Sequence, residues 1–61
     1  MKVQEFDQVL LKDGREVVVL EVFTSPPGYI VEQVGVDGET IDWFPVKIEE
    51  IERIISKANS A

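Results

Sequence analysis

"KIEEIERIISKANSA", residues 47–61, is the stretch whose reading decides the fold. Ile48, Ile51, Ile54, Ile55 and Ala58 recur at the spacing of one helix face, with Glu49, Glu50 and Arg53 opposite. On pattern alone this is an amphipathic helix over residues 48–57, and residues 57–61 are a frayed tail. A strand in the same place would make a different protein, because it would add a fifth member to the sheet that the upstream sequence predicts.

That sheet is announced by regular punctuation. Asp13-Gly14, Ser25 to Gly28 and Asp37-Gly38 are turn signals. Between them lie "QVLL", "REVVVLEVF", "YIVEQV" and "ETIDWFPV", all rich in β-branched and aromatic residues. Asp-Gly flanked by such runs is a strong hairpin signal. The spacing predicts four strands in an antiparallel meander. Pro26-Pro27-Gly28-Tyr29 also has the Pro-Pro-x-Tyr form that WW domains bind. The reading preferred here is a four-residue "SPPG" connector, with Gly28 turning to positive φ.

The second strand is apolar on both faces. Strict alternation puts Val18, Leu20 and Val22 on one side and Val17, Val19, Glu21 and Phe23 on the other. Such a strand needs cover twice over, which a strong bend between two packed layers provides. Gly35 is a candidate bulge. Pro45 cannot donate to a ladder, so the fourth strand must end there, bulge, or lie at an edge.

Sixty-one residues make one domain, read as residues 1–56 plus the tail. A chain of this length buries only about 60% of its unfolded surface, and a core of this size rarely supplies more than roughly 3–5 kcal/mol of net stability. There is no Cys and no His, so the usual zinc ligands and thiol redox chemistry are missing. Val17 to Leu20 is the longest aliphatic run, far short of the ~18 residues of a membrane span. With no apolar leader after Met1-Lys2, the expected location is cytoplasmic. The net charge is −6, and no two basic residues are adjacent. Nucleic-acid affinity rests on Lys and Arg neutralising phosphates, so nucleic acid is an unfavoured partner. A protein partner or self-association is the better expectation.

Several of these residues carry a resemblance. Phe6, Asp7, Val9, Leu11, Asp13 and Gly14, then Glu21, Val22 and Phe23, then Asp37 to Thr40, then Glu50, Ile51 and Ile54 follow one pattern. It resembles that of short bacterial proteins of unknown function with a Src-homology-3-like barrel fold. The likeness covers roughly residues 5 to 55, and its motifs are turn and core positions. It departs where Val17-Val18 replace a small Gly-Thr pair. The resemblance implies a mostly β, five-stranded antiparallel Src-homology-3-like barrel with a helical turn near 47–51 and a fifth strand near 52–56. Closure would remove sheet edges, and a turn plus a strand can use the same isoleucines. This is the favoured fold; the four-stranded meander with helix 48–57 is the alternative.

Catalytic groups are scarce. Without His or Cys there is no ready general base near neutral pH and no thiol nucleophile. Ser25, Ser56 and Ser60 have no evident base partner, and Glu49-Glu50 read as solvated charge. Asp37, Glu39 and Asp42 lack the spacing of a calcium loop. No enzyme activity, cofactor or metal is expected. The candidate interaction surface is aromatic: Phe23, Tyr29, Trp43 and Phe44, although core packing is the first expectation for Trp43. The resulting function is a non-enzymatic protein-interaction or modulator module of bacterial or phage origin. A nucleic-acid-associated barrel protein is the alternative.

Overall fold

The computed structural model describes residues 2–35 and 37–58. Five strands follow one another: β1 (Gln8–Leu11), β2 (Glu16–Thr24), β3 (Pro27–Val34), β4 (Thr40–Val46) and β5 (Ile51–Ser56). A single 3₁₀ turn, Ile48–Glu50, precedes β5. The strands form one antiparallel sheet in the order β4-β3-β2-β1-β5. The decisive stretch is therefore a turn and a strand, not a helix over 48–57.

Hydrogen bonding and bulges explain why the helical spacing misleads. Without β5, β1 would leave one row of backbone donors and acceptors unpaired. Leu10 pairs with Arg53 and Leu11 with Ile51, so Glu52 is an extra residue in β5. That bulge puts Ile51 and Ile54, three apart, on the same inner face. In an unbulged strand they would point to opposite sides. The 3₁₀ turn is held by the Glu50 carboxylate, which accepts the Lys47 N–H at 2.7 Å, and it is tied to the β1–β2 turn by Lys12 N–H donating to the Glu50 carbonyl at 2.9 Å.

A second bulge sets the shape of the long strand. Val19 pairs with Val31 and Glu21 with Ile30, leaving Leu20 as the extra residue. Strict alternation therefore fails at Leu20. Val17, Val19 and Val22 share the face of Tyr29 and Val31, whereas Leu20, Glu21 and Phe23 share the face of Ile30. Bulging keeps the Glu21 carboxylate out of the apolar interior, where an unpaired charge would be costly.

The core lies on the inner face: Val9, Leu11, Val17, Val19, Tyr29, Val31, Val46 and Ile51, joined by Val3 from the N-terminal segment. Phe44 and Ile54 pack against it. The 3₁₀ turn also lies against β3. β4 and β5 do not pair, so the sheet is not closed into a barrel.

Both free edges are nonetheless blunted. The Trp43 N–H is taken by the Asp42 carboxylate at 2.9 Å, and Pro45 has no N–H. β4 thus lacks donors at two alternate positions for an added strand, and Pro45 sits at the edge as its chemistry requires. β5 is kinked by Glu52 and again by Ile55. The bulge expected at Gly35 instead falls on the opposing strand, where Ile41 is the extra residue between Asp42 and Thr40.

The β2–β3 connector is shorter than "SPPG". Thr24 pairs with Pro27, leaving Ser25-Pro26 as the turn, with the Ser25–Pro26 peptide cis. Gly28 does not take positive φ; only Gly14 and Gly38 do so among the described glycines. What Gly28 provides is room, since a Cβ there would lie 3.3 Å from the Val46 carbonyl oxygen.

Asp7 is the one fully buried charged side chain among the described residues. Its carboxylate accepts the Gln4 N–H at 2.8 Å, the Ala58 N–H at 2.7 Å and the Lys57 ammonium at 2.6 Å. Its carbonyl accepts the Val19 N–H at 2.9 Å. Burial alone would push this carboxyl up; the Lys57 ammonium and the two N–H groups outweigh it and hold it below its ordinary value. The engaged chain therefore includes Lys57 and Ala58, the first two residues of the expected tail over 57–61; residues 59–61 lie outside the described residues.

Candidate functional site

The four aromatic candidates divide between the two faces of the sheet. Tyr29 is buried at 8% exposure, and Phe44 packs against the core from β4. Phe23 is 44% exposed and Trp43 65% exposed, both on the outer face. Trp43 is thus not a core residue. Buried Tyr29 also removes the Pro-Pro-x-Tyr reading, because the folded chain cannot offer that side chain to a WW domain.

Phe44 has a defined neighbour. The Arg15 guanidinium carbon lies 4.4 Å from its ring centroid, a cation–π arrangement. Arg15 is fixed in turn by Asp13, whose carboxylate accepts from the guanidinium at 2.8 and 2.9 Å. That bond holds the Asp13 carboxyl below its ordinary value and raises the guanidinium. The β1–β2 turn is so pinned towards β4.

The outer face of β2, β3 and β4 forms an open cleft of about 550 Å³, lined by Leu20, Glu21, Ile30, Glu32, Thr40 and Trp43. Glu32 stands directly opposite Trp43, and Glu21 opposite Ile30. Cross-strand neighbours lie roughly 4.5–5.5 Å apart at Cβ, so the indole and the Glu32 carboxylate share one wall. The floor is aliphatic, from Leu20 and Ile30. Among the described residues neither Glu21 nor Glu32 belongs to an ion pair.

Sequence reading missed Leu20, Glu21, Ile30 and Glu32. The signal was the single acid inside "VVVLEVF": an acid on an otherwise apolar face marks a break in alternation. The other candidates stay apart from this cleft. The Asp37 carboxylate accepts the Glu39 N–H and that of Asp42 the Trp43 N–H, and no three such side chains converge among the described residues. Ser25 lies in the β2–β3 turn and Ser56 ends β5; Ser60 lies outside the described residues. No helix among the described residues is long and apolar enough to cross a membrane.

Comparison of the chain with protein-family models, curated proteins and solved structures found no match in any of the three.

Proposed function

We propose that this chain is a non-catalytic binding module that engages a protein partner through the outer face of β2, β3 and β4. One observation carries the reading: Trp43 is 65% exposed on the wall of an apolar-floored cleft. An indole left in water is a standing cost that burial against a partner removes, and Trp is enriched among the residues that dominate interface energy. The absence of His and Cys from the sequence supports the non-catalytic part. The same reading takes the architecture as Src-homology-3-like, supported by five antiparallel strands with a 3₁₀ turn before the last.

A photo-crosslinking amino acid at position 40, on the cleft wall that keeps Trp43 in place and introduced in the cells that make the protein, tests the proposal. A discrete adduct with one protein partner is expected from position 40 and not from position 52 on β5. Equal labelling from both positions, or none from position 40, refutes it.

A further inference from the structure

We propose that the occupant of the outer cleft is an extended segment of a partner protein carrying Lys or Arg between apolar residues, an inference that rests on the binding-module reading. Three features of the cleft select this chemistry. Leu20 and Ile30 offer an aliphatic floor on which the stem of a long cationic side chain can lie. Trp43 presents an indole, the best aromatic partner for a cation. Glu21 and Glu32 supply carboxylates without an ion-pair partner among the described residues, Glu32 directly opposite the indole.

Other occupants fit less well. A second copy of this chain would bring another net charge of −6 to an acidic cleft. Strand addition alongside β4 is opposed by the donors missing at Trp43 and Pro45. The partner segment therefore crosses the face of the sheet and does not extend its edge.

The experiment is selection of displayed random linear peptides on the intact immobilised protein, run in parallel on three variants. These are Trp43→Ala, the double variant Glu21→Gln/Glu32→Gln, and Glu49→Gln/Glu52→Gln. The last removes the same charge from exposed positions on the 3₁₀ turn and β5. Peptides from the pool are then titrated while the fluorescence of Trp43, the only tryptophan, is followed. The expected pool is rich in Lys or Arg flanked by apolar residues and shifts Trp43 emission to the blue. Its affinity falls about tenfold in Glu21→Gln/Glu32→Gln, as for loss of close charge pairs, and stays within about twofold in Glu49→Gln/Glu52→Gln, as for remote screened charge.

A pool that needs Trp43 but tolerates Glu21→Gln/Glu32→Gln overturns the cationic occupant and keeps the binding module. A basic pool weakened equally by both double variants shows bulk attraction and also overturns the inference. Enrichment independent of Trp43, or no enrichment at all, overturns both readings. Far-UV circular dichroism of each variant confirms that the sheet is intact.

Discussion

Replacing Asp7 should nearly unfold this protein, although the residue touches no candidate ligand. The carboxylate accepts three hydrogen bonds, from the Gln4 N–H, the Ala58 N–H and Lys57. Hydrogen bonds to a charged group contribute about 1.5–3 kcal/mol each when shielded. Gln4 is exposed, Ala58 half-buried and the Lys57 side chain 51% exposed, so water recovers part of each loss. A net value of about 1 kcal/mol per bond makes Asp7→Ala cost about 3 kcal/mol. A domain of this size rarely holds more than roughly 3–5 kcal/mol in all. With a urea m-value of about 1 kcal/mol/M, the midpoint should fall by roughly 3 M. Asp7→Asn keeps the volume and one carbonyl acceptor but turns an amide NH₂ towards a donor, and should cost about 2 kcal/mol. The assay is urea unfolding by far-UV circular dichroism, since Trp43 is already in solvent and its emission reports unfolding poorly. An Asp7→Asn midpoint within 0.5 M of wild type, an order-of-magnitude threshold of about 0.5 kcal/mol, would refute the reasoning.

The pH dependence supplies a second check on the same residue. Its folded pKa lies below the ordinary 3.8. The stabilisation is therefore complete above that value and is lost as pH falls through the lower folded pKa. The gap between wild type and Asp7→Asn should stay constant from pH 7 to 5 and close only below about 4. A gap that closes between pH 7 and 5 would mean that another group controls it.

Other residues give shorter tests. Val31→Ala, at a fully buried position facing Val19 and Phe44, should cost about 2 kcal/mol in the same urea assay. Trp43→Ala should change stability by less than about 0.5 kcal/mol, because the residue is 65% exposed. Gly14→Ala has open space but a φ of +95°, so it should cost about 1 kcal/mol by backbone strain alone, read from thermal melts. Phe6 holds φ +70° and is 65% exposed, and Phe6→Asn should raise stability in the urea assay by about 0.5 kcal/mol, since Asn tolerates the left-handed region.

Turn chemistry and β-branched runs were legible in the sequence because they act locally. Asp13-Gly14 and Asp37-Gly38 mark hairpins because β-branched runs flank them, and with the Ser25 to Gly28 turn they predict four strands. Bulges were not legible in the same way, since an extra residue in one strand is defined only against its partner. The bulge at Leu20 reversed the expected sides of Glu21, Val22 and Phe23, and by moving Glu21 it changed the composition of the outer cleft. The bulge at Glu52 let a strand imitate helical spacing through Ile51 and Ile54. Asp7 was visible only as part of the resemblance. Its hydrogen bonds to Lys57 and Ala58 span 50 and 51 positions, and no local pattern encodes such a pairing. Trp43 was misplaced for a simpler reason: inner positions on β4 are already filled by Phe44 and Val46.

The neighbouring placement of β1 and β5 has a mechanical consequence. Gln8 pairs with Ser56 at the end of the ladder nearest both chain ends, and Leu11 with Ile51 at the far end. Tension applied through residues 2 and 58 therefore first meets the hydrogen bonds that Lys57 and Ala58 donate to Lys2 and Asp7. It then opens the β1–β5 ladder one pair at a time, never loading all its bonds in parallel. Under such a pull the sheet yields like a zipper, at far lower force than strands of the same length drawn past one another in shear.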